Sequence, residues 1–556
     1  MAGLETIANV VDRVDGDDAV DRNLSAGVAL GEMLRTTLGP MGSDKMLVGG
    51  GEVLLTNKGS SIIERMEIES PAATLVADIA RAQSGELGDG STAAVILAGA
   101  LLDEATSLLD DGFHPTTVIE GYTRAATRAR SQLDEHTADA SIDTATRRAV
   151  VETTVTGRWD DERTAFLADL VAQSHEAIRD ADRPREDLLT LHAVPGADTE
   201  ASELLDGLVI DTDRSSTALS DVPSPVPSRV DGAVVAVLDG ELTIPTPESA
   251  PRYAVDDVDD LERAQAFESE TYERYVDTLD AHDVDVLFCQ KEVDDRLRTL
   301  LARQGVLVFE RTRQDEVHKL ERTTGARAVL DLDDLDRAAV GRADAVERRQ
   351  VGDTPFVLVC DASATHRSLL LRGGTAHVAT ETERIVADGL TVLETAAEHP
   401  GLVPGGGAVE VGLARDLRSH ARTVPDREAF AVSAFADAIE TIPAALARNA
   451  GMRPVDALLE LRRRHDAGET TAGVDATAGD VRDAVAVGLL EPARVKERMI
   501  ANAAQAATFL LRVDDVIETD EPLHDEGGGH DHDHDHGTGG GGVQRSTDGY
   551  PWAIGH

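Results

Sequence analysis

Thr37-Leu38-Gly39-Pro40 and Gly88-Asp89-Gly90-Ser91-Thr92 are two glycine-punctuated turns, each beside a long apolar-periodic helix, and their reading decides the fold. From about Asp21 to Gly39 the apolar positions Leu24, Val28, Met33 and Leu34 fall mostly on one helical stripe, which Gly39-Pro40 stops. A second helix is expected to start at the Gly-Asp-Gly turn and run through Ala93-Ala94-Val95-Ile96-Leu97-Ala98 to Leu109. It is apolar on most sides, so it belongs deep inside a helical domain. A polyphosphate needs backbone N–H groups aimed at it, a magnesium held by carboxylate oxygen, and a group that orients or excludes water. The second turn supplies the parts locally. Its glycines permit close approach, Asp89 is a hard ligand for magnesium, Ser91 and Thr92 are hydroxyl donors, and the following helix directs its N-terminal dipole at the phosphates. Taken alone, such a turn is more often only a tight loop. No Gly-x-x-x-x-Gly-Lys-Ser/Thr is present, so the cradle is not a P-loop.

Further helices are expected around Pro115 to Leu133 and from Arg147 to Ile178. Between about Gly207 and Ala362 short β-rich runs (Ala233 to Leu238, Val284 to Cys289, Gly305 to Phe309, Ala326 to Leu330, Pro355 to Cys360) alternate with charged helical stretches, the pattern of an α/β domain. Pro223 to Arg229 and Pro245 to Pro251 interrupt it, and Asp257 to His282 reads as a strongly charged helix. After Leu371-Arg372-Gly373-Gly374-Thr375 the helical pattern returns through Glu381 to Glu398 and beyond Gly405-Gly406-Gly407 to about Ile517. This order predicts one helical domain assembled from both chain ends, with the other domains inserted between them. The tail beyond Glu521, with His530-Asp531-His532-Asp533-His534-Asp535-His536 between glycine runs, reads as disordered. Either it is a solvated acidic tail or its histidines capture a divalent metal weakly, and Trp552 fits neither reading.

With 556 residues the chain exceeds one core, and three or four globular units are expected. Aromatics are only 3% against 41% apolar residues, so aliphatic side chains fill the interior. The formal charge of −50 opposes binding to nucleic acid or anionic lipid. Of 53 basic residues only Lys45, Lys58, Lys291, Lys319 and Lys496 are lysines, a pattern of a halophile whose carboxylate surface is screened in molar salt, where the Debye length is about 3 Å. Cys289 and Cys360 lie in apolar runs and read as buried free thiols. No apolar stretch of about 20 residues is expected to span a membrane, and Met1 to Asp21 carries no signal-peptide core, so a cytoplasmic location is expected.

Leu38-Gly39-Pro40-Met41-Gly42-Ser43-Asp44-Lys45-Met46-Leu47 strongly resembles the group II chaperonins, called thermosomes in archaea. The resemblance continues through Asn57-Lys58-Gly59, Gly88 to Thr92, His114-Pro115-Thr116, Thr156-Gly157-Arg158, Leu287 to Lys291, Leu371 to Thr375, Gly405 to Ala408 and Glu491 to Lys496. It covers nearly the whole chain, and the composition adds a haloarchaeal source. It implies a multidomain α and α/β protein. A mostly helical equatorial domain would come from 1–140 and 397–522, a small α/β intermediate domain from 141–207 and 362–396, an α/β apical domain from 208–361, and a tail from 523–556. Members stack two rings back to back and enclose unfolded protein clients, and the charged segment from about Leu238 to Glu270 resembles their helical lid protrusion, the alternative being a solvated surface helix.

By the same resemblance Leu38, Gly39, Pro40, Asp89, Gly90, Ser91, Thr92 and Gly406 contact ATP and its magnesium, with Glu491 near the ribose and potassium as a further cation. Asp388 matches the aspartate that orients the attacking water. Two positions depart. Arg158 replaces a lysine in the segment that senses the γ-phosphate, keeping charge but not shape. Lys58 stands at the aspartate that normally shares the water with Asp388, and losing one such carboxylate costs on the order of 10²–10⁴-fold in hydrolysis. Lys58 could instead pair with Asp388 or stabilise the transferring phosphoryl. The expectations are therefore an ATP-driven chaperone subunit in homomeric or heteromeric rings with paralogues, or an ATP-binding, hydrolysis-impaired structural subunit. A metal-storing protein using the tail is the remaining alternative.

Overall fold

Helices from the two ends of the chain close around one apolar core, because each carries more buried than polar faces. In the computed structural model, residues 13–15, 17–49, 52–137, 143–155, 157, 160–179, 184–211, 228–243, 258–352, 354–360 and 366–517 are described. Arg158, positions 244–257 of the expected protrusion, and the His-Asp tail with Trp552 lie outside them. Asp17–Arg35, Glu428–Ile439 and Ala493–Leu510 all pack on Ser91–Asp110, in a core that includes Leu24, Leu34, Ile96, Leu101, Phe435 and Ile500, all buried. Each large aliphatic side chain so buried contributes roughly 1.5–3 kcal/mol. Every residue from Ala93 to Leu102 is buried, as a helix apolar on all sides requires. Two helical stretches, Ser91–Asp110 and Glu428–Asn449, are long and apolar enough by composition to cross a membrane, but most of each is buried within the protein, as in core helices.

The expected long helix over Arg147 to Ile178 is two helices, Thr144–Val155 and Asp161–Ile178. Gly157 between them has φ +91, and Asp160 caps the second helix by accepting the Arg163 N–H at 3.0 Å. A second core gathers Val150, Val171, Leu189, Leu371, Ile385 and Leu393. It lies between these helices, Ala376–Glu398 and a sheet in which Arg367–Gly373 pairs parallel to Leu189–Pro195 and antiparallel to Glu203–Asp206.

In the middle of the chain Leu307–Phe309, Val286–Cys289 and Val234–Leu238 form parallel pairs, with Gly341–Arg342 antiparallel at the edge. Val234, Ala236 and Leu238 face one core, and Val235 and Val237 the other, which explains their uninterrupted apolar run. Leu208–Asp211, Thr354–Cys360, Ala345–Val351 and Arg229–Asp231 make an antiparallel sheet. The charged helix spans Val258–Ala281. Ala326 to Leu330 is no strand: Val329 makes a single bridge to Leu238, while Leu330 is exposed and a 3-10 turn, Leu332–Asp334, follows. Cys289 is buried and Cys360 only half-buried, and both are free. Arg13–Asp15 and Asp515–Ile517 form a separate two-stranded antiparallel ribbon.

Candidate functional site

The two glycine turns line one cleft. Leu38, Gly39 and Pro40 contribute to its wall with Lys58, Gly88, Asp89, Gly90, Ser91, Thr92, Gly406 and Glu491, so nearly all the residues singled out from the sequence come together. Asp388 stands behind Lys58, in contact with it. Asn57, Thr153, Thr154, Lys496 and Asp475 to Thr477 also line the cleft and were not singled out.

The Gly88 to Thr92 turn is built from backbone. Gly88, φ +72, ends the helix Pro71–Leu87 and donates to the Ser84 carbonyl, and Gly90, φ +80, precedes Ser91–Asp110. A methyl group on Gly88 would sit 2.6 Å from the Asp388 carbonyl oxygen, so only glycine permits this contact between the turn and the Ala376–Glu398 helix. The first bond of the Ser91 helix runs from the Ala94 N–H to the Gly90 carbonyl at 2.9 Å, leaving the Ser91, Thr92 and Ala93 amides outside the helical ladder. Asp89 is aimed by the Gly90 N–H, which donates to Oδ1 at 2.6 Å, and by the Thr154 hydroxyl, which donates to Oδ2 at 3.3 Å. The Gly59 N–H donates to Thr92 Oγ1 at 3.2 Å and ties this turn to the segment that carries Lys58.

Lys58 precedes the Gly59–Arg65 helix in extended conformation, and its side chain reaches Asp388. Its Nζ donates to both oxygens of Asp388, at 2.7 and 2.6 Å, with both side chains nearly excluded from water. Arg384, one turn earlier on the same helix, lies 3.6 Å from Asp388 Oδ2. Asp388 is thus buried and charge-paired; in this geometry its oxygens are engaged by an ammonium rather than poised to orient water.

At the other end Lys496 Nζ bridges Glu410 Oε1 at 2.8 Å and Glu491 Oε2 at 2.7 Å. Burial works against the ammonium, yet the two carboxylates hold it well above the ordinary lysine range. Burial raises the Glu491 carboxyl; Lys496 opposes that rise, while Glu410 and Asp89 add to it. The Lys496 signal lay in the Glu491-to-Lys496 run, where a lysine five residues after a glutamate gives no hint of burial. Among the described residues no cluster of three or more His, Cys, Asp or Glu could hold a metal by itself. A lone Asp89 instead suits magnesium shared with phosphate oxygens and water.

These features define a class: a protein with a cleft lined by glycine-built turns, not by a P-loop, in a helical body made from both chain ends. The chain belongs to the TCP-1/cpn60 chaperonin family, whose profile matches residues 30–521. It is 40% identical to thermosome subunit alpha of Halobacterium salinarum over 91% of this chain and 89% of that one. It is 40% identical to thermosome subunit 3 of Haloferax volcanii (92% and 98% covered) and 38% identical to thermosome subunit 1 of the same organism (93% and 92%).

Proposed function

We propose that this chain binds ATP with magnesium in the cleft and works as a subunit of a cytoplasmic group II chaperonin, a double ring that encloses unfolded proteins. The observation that carries the reading is the turn Gly88 to Thr92: free helix-start amides, an aimed Asp89 and two hydroxyls converge where a polyphosphate with its cation would sit. Bound ATP supplies a hydrolysable phosphoanhydride. Gly90, Ser91 and Thr92 would hold its phosphates, Asp89 its magnesium, Leu38 to Pro40 and Gly406 its flanks, and Glu491, oriented by Lys496, its ribose hydroxyls.

In this reading the helical body from 1–140 and 397–522 is equatorial. Segments 141–207 and 362–396 are intermediate, and 208–361 is apical, its Val258–Ala281 helix belonging to the lid protrusion. Closure of the intermediate body over the cleft would act through the contact of Gly88 with Asp388. Relatives designated subunit 1 and subunit 3 in one organism support rings shared with paralogues. The charge of −50 suits work in molar salt.

A second reading is favoured by the Lys58–Asp388 pair. With Asp388 held by an ammonium and no second aspartate at position 58, this subunit hydrolyses ATP slowly by itself and responds to nucleotide within a ring. The purified assembly in molar potassium chloride should suppress aggregation of a chemically unfolded protein and change its hold on it when ATP and magnesium are added. Asp89→Asn should abolish the nucleotide response. Failure to bind either ATP or unfolded protein would remove the proposal.

A further inference from the structure

We infer that Lys58 is a specificity residue that distinguishes a nucleoside triphosphate from a diphosphate, by exchanging its partner from Asp388 to the terminal phosphate. The inference rests on the reading of the cleft as an ATP site. Three observations lead to it. Lys58 lines the same cleft as the phosphate-cradling turn, joined to it through the Gly59 N–H on Thr92 Oγ1 at 3.2 Å. Its ammonium sits on a buried carboxylate that has a second cation close by, the Arg384 guanidinium at 3.6 Å, which also pairs with Glu381, so Asp388 keeps a shared partner when Lys58 leaves. In a chain where arginine supplies nearly all basic positions, the two lysines in this cleft are both buried and ion-paired. A compact, rotatable ammonium on a flexible stem can swing between two oxygen acceptors, whereas a planar guanidinium is fixed by its fork geometry.

The exchange links recognition to shape. Asp388 lies on the Ala376–Glu398 helix, and its backbone carbonyl packs against Gly88. While Lys58 bridges the Gly59 helix start to Asp388, it ties that helix to the cleft; when Lys58 turns to a terminal phosphate, the tie is released. A diphosphate offers no third phosphoryl group and leaves the pair in place.

The test is equilibrium binding of ATP and ADP, each with magnesium, to the full-length assembled protein in molar potassium chloride. It compares the unaltered chain with Lys58→Met, Lys58→Arg, and the double variant Lys58→Met with Asp388→Asn, which leaves no buried carboxylate unpaired if the single variant folds poorly. One charge-assisted contact made only by the triphosphate predicts a preference for ATP that falls about tenfold or more in Lys58→Met and in the double variant. Lys58→Arg should recover it in part. Equal ATP-to-ADP ratios in the unaltered chain and the double variant overturn the inference while leaving the cleft as an ATP site. Absence of any nucleotide binding by the unaltered chain overturns the reading beneath it.

Discussion

The two buried lysines of the cleft sit in opposite electrostatic settings. Lys496 is shared by two carboxylates, Glu410 and Glu491, on elements that form the floor of the helical body, and it is locked from both sides. Lys58 pairs with Asp388, which itself has Arg384 within reach. The first arrangement has an excess of negative charge and holds its cation fast. In the second, Asp388 is shared between two cations, Arg384 being paired with Glu381 as well. Burial alone therefore does not mark a functional ion pair; in the proposed reading the partners separate Lys496, held by Glu410 and Glu491, from Lys58, whose Asp388 is shared with Arg384.

Lys496→Met breaks this comparison most severely. It leaves Glu410 and Glu491 buried beside each other without a cation, and a loss of about 3–5 kcal/mol is expected, read as a lowered unfolding midpoint in high salt. Lys58→Met should cost less, on the order of 2–3 kcal/mol, because Arg384 remains near Asp388. Adding Asp388→Asn should restore most of that loss, whereas Glu410→Gln added to Lys496→Met should restore little. Equal recovery in both pairs would erase the distinction.

The smallest effect separates ion pairs from buried neutral groups. Burial pushes His175, His192 and His366 down to about 4. Each is neutral in the fold while the unfolded chain takes a proton near 6.5. Their contribution is full above about pH 6.5 and lost as the pH falls towards 4, on the order of 2 kcal/mol each. Denaturant midpoints measured across that range should decline, and replacing His192 by Phe should flatten the decline. An unchanged profile would mean that this ring titrates alike in the folded and the unfolded chain.

The legible parts of the molecule are those whose signal is local. The Gly88 to Thr92 turn declares itself because glycine, aspartate and an apolar helix follow one another directly, and the Val234–Leu238 strand because a sheet covered on both faces needs an unbroken apolar run. Leu189–Pro195 escaped notice: its pairing partner Arg367–Gly373 lies far along the chain, and its half-buried side chains follow no clean alternation. The break between Val155 and Asp161 turns on Gly157, where a methyl group would run into the Pro40 backbone, a contact invisible without the fold. Lys58 was singled out for its type, but its bond to a carboxylate 330 residues away is tertiary, so pairing with Asp388 and free approach to phosphate could not be separated from the sequence. For the same reason Lys496 and Glu491 were quoted in one motif, but neither their pairing nor the part of Glu410 was seen.

The central claim is that Lys58, standing where a second water-orienting carboxylate would be, keeps this subunit's own hydrolysis slow. Steady-state phosphate release by the assembled protein in molar potassium chloride with magnesium and ATP tests it most directly, comparing the unaltered chain, Lys58→Asp and Asp388→Ala. The account predicts slow release by the unaltered chain and a rise on the order of 10²-fold in Lys58→Asp. Rapid release by the unaltered chain that vanishes in Asp388→Ala and does not increase in Lys58→Asp would contradict it.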